Sequence, residues 1–515
     1  MQVIVSRGSG IHFIEKVFMN FQPIGRGLIA FGILGIIVSL LVDLLPGSKP
    51  GIQPVQILGI EIAISFLLTG VWALLGRTTK KVEIKKIIQE LIDQLLDLPV
   101  LVWVVIGFLI TYILFFIAPM FLNSTNRIHY LTKYLTDFYP IGNDMIAMID
   151  LAKGWFVEGK SPYPAQFYPP LTYILFAPSL LIGNYATLFR FFTFGTIVSY
   201  IFLTLFIPAK IGGRNKISFV LVFFITGLFS YGLQFELERG QYNVFTFLLC
   251  MLAIYLFHYY PKYRIFAYLF FSISVQLKLY PAIFIVMLVD DWRNWKAILL
   301  RFIGLGIFNV VILFAMGYQI FLDFFRSVTR QLIDPSWVWN ENHSIQSFVI
   351  TLTTDGFNMV EPSTVALMRQ YKTLMVMVLL LIVLACFISA VWFSYLRRET
   401  GIDTYLLLVC MIGALTIPIS IDYTLSILAA PMTLFLCGLV KLRRSWHRFM
   451  SIVLIISLSF AYSSMLIPYK YKPYFMNNSF PTLFIILIIA TVLNVMRYQN
   501  RENGIVDKDV DSLGS

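Results

Sequence analysis

Apolar runs of about 18 to 25 residues, the length that crosses hydrocarbon, recur from Gly27 to Val495 between short polar or basic turns. Residues 27–45 and 52–75 read as a helical hairpin turned by Pro46, Gly47 and Pro50. Residues 80–98 have a different rhythm. Ile84, Ile87, Ile88, Leu91, Ile92 and Leu95 keep the three-four spacing of an amphipathic helix, and Lys80, Lys81, Lys85 and Lys86 crowd its start. Two outcomes fit that pattern: a helix on the cytoplasmic membrane surface or a solvated linker helix.

Residues 99–122 span outward, because Arg77 and the lysines before them mark the cytoplasmic side. Residues 123–167 are then external. Residues 170–182 read as a shallow or half-crossing element, 187–208 as a full span and 217–233 as the return outward. That order puts Glu236, Glu238, Arg239 and Gln241 at the external face, before 242–258 comes back to Lys262 and Arg264. Residues 265–290 have cytoplasmic charge on both sides and are too few for two spans. Lys278 and Pro281 at their centre predict two half-helices meeting at mid-depth, an arrangement found where broken helices line a cavity. Residues 297–316 lead to a second external loop, 317–371, and four or five further spans precede a polar cytoplasmic tail at 497–515.

The whole pattern predicts an all-α polytopic transmembrane bundle of about 12 to 14 membrane segments, with interfacial helices in its external loops and both termini cytoplasmic. Three divisions are expected: a hairpin plus amphipathic helix at 1–98, a core at 99–440, and C-terminal helices with the tail at 441–515.

Composition agrees. The chain is 58% hydrophobic and 13% charged, with a mean hydropathy of +0.80; a soluble protein carries about 25% charged residues. The net charge of +12 sits in short loops, where it sets topology and meets anionic lipid rather than nucleic acid. Cys250, Cys386, Cys410 and Cys437 all fall inside apolar runs without metal-ligand spacing. No cofactor is expected, and the need for a divalent metal is open.

The longest polar interruption in the first half of the chain is 143–170. Asn143 as N-cap, with Gly159 and Pro162 as the stop, predicts a helix over 144–158. At 100° per residue, Met145, Met148, Ile149, Leu151, Ala152, Trp155 and Phe156 share one face, that of an interfacial helix. Asp150 and Lys153 lie on the wet side, spaced to pair with each other. Asp144 sits at the edge of the apolar face and is aimed at a membrane-side cavity; the competing role for it is a carboxylate favouring the helix N-terminus.

Polar clusters on an external face, with no phosphate-binding glycine loop inside, fit an enzyme whose activated group is carried by lipid. Glycosyl transfer from a polyprenyl phosphate needs a carboxylate to take the acceptor's proton and cations to hold the departing phosphate. Asp144 is the candidate base, with Lys278, Arg239, Arg326 or Arg330 on the phosphate. His343 is a candidate for phosphate binding or shared acid–base work, or else a plain hydrogen-bonding residue.

Several motifs, taken in order, resemble the glycosyltransferase C superfamily and, within it, the family 87 polyprenyl-phosphate-mannose-dependent mannosyltransferases. They are Asp144 after a long span, Gly159-Lys160-Ser161-Pro162-Tyr163, Tyr168-Pro169-Pro170-Leu171, and Phe176-Ala177-Pro178. Further on come Gly240-Gln241-Tyr242-Asn243, Lys278-Leu279-Tyr280-Pro281 and Asn342-His343-Ser344. The resemblance implies a glycosyltransferase-C-like core and an inverting mannosyl transfer, with Asp144 as the catalytic aspartate. It suggests Lys278 and His343 as donor-site residues; Tyr168, Gln241 and Asn243 are also assigned to the donor side, and Asp422, Tyr423 and Trp339 to the acceptor side. The turn Ser420-Ile421-Asp422-Tyr423 departs from the tryptophan and histidine expected there, and residues 1–98 match no part of the pattern. The implied partners are a polyprenyl-phosphate-linked sugar, a glycolipid or glycan acceptor and the lipid of the plasma membrane, with the site facing outside. A transporter or lipid flippase with Lys278 on the substrate path is the alternative from another class.

Overall fold

The computed structural model describes residues 22–41, 142–163, 167–182, 184–213, 216–228, 230–333, 342–354, 360–397, 401–416, 420–438 and 478–502, with a few single positions between them. Two compact units are distinguished. One comprises Met1–Pro99 and Tyr112–Tyr134; the other comprises Val100–Thr111 and Leu135–Ser515. In the first, helix α1 (Gln22–Leu41) brings Gly35 so close to Ala63 that an added Cβ would stand 2.9 Å from the alanine Cβ. The amphipathic segment 80–98 lies outside the described residues.

Among the described residues the regular elements of the second unit are all helices. Its elements run α2 (Asn143–Phe156), α3 (Pro170–Phe176), α4 (Tyr185–Ile201), α5 (Ile217–Leu228), α6 (Tyr231–Arg239), α7 (Asn243–Tyr259) and α8 (Arg264–Leu277). They continue as α9 (Trp295–Ala315), α10 (Tyr318–Ile333), α11 (Ile345–Thr354), α12 (Pro362–Gln370), α13 (Lys372–Arg397), α14 (Thr404–Thr416), α15 (Ala429–Cys437) and α16 (Phe480–Glu502). Short 3-10 helices follow α3 at Ala177–Leu181, α8 at Tyr280–Met287 and precede α15 at Asp422–Leu428.

Among the described residues three helices are long and apolar enough to cross a membrane: Thr187–Gly212, Trp295–Phe314 and Lys372–Arg397. A fourth crossing is possible if α6 and α7, bent by 114° at their junction, count as one broken span. Only 6% of the Trp295–Phe314 window and 17% of the Lys372–Arg397 window is buried, so both present apolar side chains to lipid. At the other extreme every residue of α14 after Thr404 is buried, packed by α13, α15, α16 and the 3-10 helix Tyr280–Met287. The chain is an all-α membrane protein.

Two expectations change. The span expected at 217–233 is interrupted: α5 stops at Leu228, and Ser230 caps a new helix by accepting from Leu233 N–H at 3.4 Å. Ser230 also donates to Gly227 O at 2.8 Å, so its hydroxyl serves both helix ends. Residues 317–371, expected as a loop with interfacial helices, contain α10, α11 and α12. Finally, the N-cap of α2 is Gly142, in the left-handed region at φ 76°, and Asn143 is already helical.

Candidate active site

Two helix ends meet to begin the site. α6 closes on Gly240 at φ 67°, a left-handed C-terminal position that suits glycine, and Gly142 N–H donates to Glu238 O at 2.7 Å. The approach is close. A Cβ on Gly240 would stand 2.8 Å from Met145 Cβ, and one on Gly142 would strike the Phe189 ring at 2.7 Å. This contact sets the N-terminal turn of α2 on the C-terminal turn of α6 and delivers Asp144. Its Oδ1 accepts from Arg239 Nη2 at 2.5 Å, and its Oδ2 from Gln241 Nε2 at 2.6 Å. Each oxygen keeps a further lone pair, and the carboxylate is half-buried.

Past Gly240 the chain bends into α7, which presents Arg239, Gln241 and Asn243 around one corner. Lys278 enters from α8. That helix ends at Leu277, Lys278 adopts an extended conformation (φ −147°, ψ 145°), and Pro281 opens the next 3-10 helix. A broken helix leaves carbonyls without partners; Thr172 of α3 donates to Leu277 O at 2.7 Å and satisfies one. The buried Lys278 Nζ donates to Gln241 Oε1 at 2.9 Å and to Asn243 Oδ1 at 2.7 Å. It also lies over three rings, 4.6 Å from the centroid of Tyr242, 5.2 Å from Tyr168 and 5.6 Å from Tyr423. Gln241 therefore bridges the acid and the cation through opposite ends of one amide.

An ammonium has three donors, and the partners of Lys278 are neutral amides and aromatic faces. No carboxylate lies within ion-pair distance of it among the described residues. The Asn243 amide also keeps a buried Nδ2 without a hydrogen-bond acceptor among the described residues. Loss of water around Tyr168, with the Asp144 charge nearby, pushes that phenol up to about 12, so it remains a neutral donor.

Behind this cluster lies Glu236, fully buried. Its Oε1 accepts from Val244 N–H in the first turn of α7 at 2.8 Å, and its other oxygen accepts from the Ser426 hydroxyl. One carboxylate thus ties α6, α7 and the 3-10 helix Asp422–Leu428, which carries Tyr423; Phe235 of α6 packs on the Tyr423 ring at 5.9 Å.

The structure gathers Asp144, Arg239, Gln241, Asn243, Lys278, Tyr168 and Tyr423 in one cluster. His343 and Asp422 form a neighbouring buried joint. His343 Nδ1 accepts from Ser479 N–H at 3.0 Å, which leaves the ring proton on Nε2, 2.8 Å from Asp422 Oδ1. His343 N–H donates to Ser420 O at 2.6 Å, beside an antiparallel bridge between Asn342 and Ile421. The joint reaches the cluster through Asp422, the neighbour of Tyr423 in sequence.

Arg326 and Arg330 are not part of this gathering. Both sit on the exposed side of α10, with Arg326 3.8 Å from Asp323. Asp150 also departs from its expected place: it accepts from the Tyr185 hydroxyl at 3.2 Å, and none of the described ion pairs joins it to Lys153. The apolar face of α2 is buried in protein at Met145, Met148, Ile149 and Ala152 rather than laid on lipid, while Phe156 is exposed. Trp339 lies outside the described residues. Sequence reasoning missed Glu236, Ser426 and Tyr242 as parts of the site. An acid within an otherwise apolar stretch was the available signal for Glu236.

Residues 167–418, just under half of the chain, match the model of glycosyltransferase family 87. The match bears out the resemblance carried by the motifs and indicates a glycosyltransferase. It covers the bend at Gly240, Lys278 and the His343 segment, and begins after Asp144. No curated protein and no solved structure matches the chain.

Proposed function

We propose that this membrane glycosyltransferase moves mannose from a polyprenyl-phosphate donor to a glycolipid or glycan acceptor, with inversion at the anomeric carbon. The site faces outward from the plasma membrane, and both termini are cytoplasmic. The observation that carries the proposal is the coupling of Asp144 to Lys278 through Gln241, a carboxylate and a cation held side by side by one amide.

The acceptor hydroxyl attacks the anomeric carbon of the donor sugar. Its proton passes to Asp144, and the bond from that carbon to the phosphate oxygen breaks with the electron pair leaving on the phosphate. Arg239 and Gln241 hold the carboxylate in one orientation, leaving a lone pair on each oxygen for the acceptor. Lys278 uses its third N–H, and Asn243 its unpaired Nδ2, on the phosphate as its charge grows. A positioned general base contributes about 10²–10⁴-fold, and a preorganised donor to a developing oxyanion about 10²–10³-fold. Tyr168, Tyr242 and Tyr423 wall the cation in low dielectric, where its effect on the phosphate is largest.

The test is Asp144→Asn in the purified full-length chain, incubated with polyprenyl-phosphate-mannose and glycolipid acceptors, with products resolved by mass spectrometry. Asparagine keeps the shape and loses the base, so transfer falls by about 10²–10⁴-fold while the unfolding temperature holds. Transfer near the wild-type rate would remove Asp144 from the role. A wild-type protein that consumes no lipid-linked sugar, yet moves a solute into liposomes, would favour the transporter alternative.

A further inference from the structure

α10 is the most strongly amphipathic of the described helices that the site leaves unused. At 100° per residue its Tyr318, Phe321 and Phe325 fall on one flank, and Gln319, Arg326 and Arg330 on another. A third side, at Phe324 and Ser327, is buried against the protein. Both outer flanks are open: Tyr318 and Phe325 are 65% and 59% exposed, and Arg326, Arg330 and Gln319 are exposed as well.

What covers the aromatic flank follows from what precedes it. α9 is the lipid-facing span, and α10 starts immediately after the turn at Gly317 (φ 106°). Phe314 at the end of the span stacks on Phe321 at 4.0 Å and on Tyr318 at 6.4 Å, and Phe321 continues to Phe325 at 6.3 Å. The lipid-facing surface of the span thus runs without a break along one flank of α10. The adjoining flank carries two exposed guanidiniums, Arg326 and Arg330.

The inner side of the helix leads to the site. Asp323 accepts from the Ser161 hydroxyl at 3.2 Å, and Phe324 packs on Tyr163 at 5.9 Å. The Tyr163 hydroxyl donates to Tyr168 O at 2.6 Å, and the Tyr168 ring faces Lys278.

We propose that α10 lies in the headgroup layer of the membrane, with Arg326 and Arg330 on the phosphates of anionic lipid, and that this seat braces the tyrosine wall around Lys278. A basic, aromatic-flanked helix binds such a surface through buried apolar area and charge together. The seating stands on geometry alone; the effect on the wall rests on the transferase assignment.

The experiment uses the full-length protein in nanodiscs of phosphatidylcholine, alone or mixed with phosphatidylglycerol. Spin labels go on Phe325→Cys and, separately, Gln319→Cys. Both are made in a Cys437→Ser background, since the other three cysteines are buried. The expected result is a label at 325 reached by oxygen and shielded from a nickel chelate, with the reverse at 319. Equal nickel access at both positions would overturn the seating and point to a soluble partner or open solvent.

Hydrogen exchange along α10 should slow when phosphatidylglycerol is present, by about fivefold for each arginine engaged, and Arg326→Gln with Arg330→Gln should abolish the difference. Unchanged exchange would overturn the phosphate contact, and the same protection from inorganic phosphate alone would mean a free-ion site instead. Where transfer is measurable, the double variant should raise the donor KM in phosphatidylglycerol discs and leave it alone in pure phosphatidylcholine. An unchanged KM in both, with the label depths as expected, would overturn the brace and keep the seating.

Discussion

Gly240→Ala tests how the site is assembled without touching any group that reacts. Gly240 holds φ 67°, and a left-handed conformation costs an alanine about 1–2 kcal/mol. Its new Cβ would stand 2.8 Å from Met145 Cβ, whereas carbons rest at roughly 3.5–4.0 Å. The first turn of α2 must therefore retreat from α6 by roughly 0.7–1.2 Å to restore ordinary carbon contact, at an overpacking cost of about 1–3 kcal/mol. Together the two effects remove about 2–5 kcal/mol of stability.

The retreat also opens the bonds from Asp144 to Arg239 and Gln241, now 2.5 and 2.6 Å. A misplacement of about 1 Å costs on the order of 10²-fold in rate. Transfer should drop by about ten- to a hundredfold in kcat, with a lower unfolding temperature in detergent. Gly304→Ala is the control: it sits inside α9 with nothing within 4 Å of the new Cβ, so it should be neutral or slightly stabilising, by up to about 1 kcal/mol. A Gly240→Ala protein that melts and transfers like the wild type would refute the argument that this glycine sets the Asp144 geometry.

Glu236→Leu should lower the unfolding temperature more than Glu236→Gln, because leucine leaves Val244 N–H and the Ser426 hydroxyl buried without an acceptor. Each orphan costs about 1–3 kcal/mol; equal melting of the two variants would sink the role given to the carboxylate. At the other end of α8, Asp290 meets Arg264 at 2.7 Å and Arg301 at 3.3 Å, and the two guanidiniums lie 4.6 and 4.7 Å from the Phe257 ring. Burial raises the Asp290 carboxyl, but Arg301 and Arg264 outweigh it and hold it below its ordinary value. A depressed folded-state value stabilises the protein above about pH 4 and is lost as pH falls through it. Asp290→Asn should therefore melt lower at neutral pH and show a flatter dependence of melting temperature on acidification; a parallel curve would contradict this.

Some of the site was legible in the chain and some was not, for a physical reason. The break at Lys278 could be read because a proline three residues beyond a cation inside an apolar run disrupts a helix wherever it sits. The distinction between Asp144 and Asp150 could be read because helical phase is local. The sorting of cations could not. Arg239, Arg326 and Arg330 looked alike in external loops, and only packing shows that Arg239 turns to Asp144 while the other two lie on the outer flank of α10. Glu236 stayed hidden for the same reason, since its partner, Ser426, comes from a distant element; Tyr423 was legible as a site residue, but its place over the Lys278 ammonium was not. Local signals report where backbone must be interrupted, and tertiary contact decides which side chains meet at the interruption. The two glycines join these levels. Gly142 and Gly240 are unremarkable in sequence, yet without them no helix end could come close enough to place a carboxylate from one segment on the guanidinium and amide of another, 95 and 97 residues later.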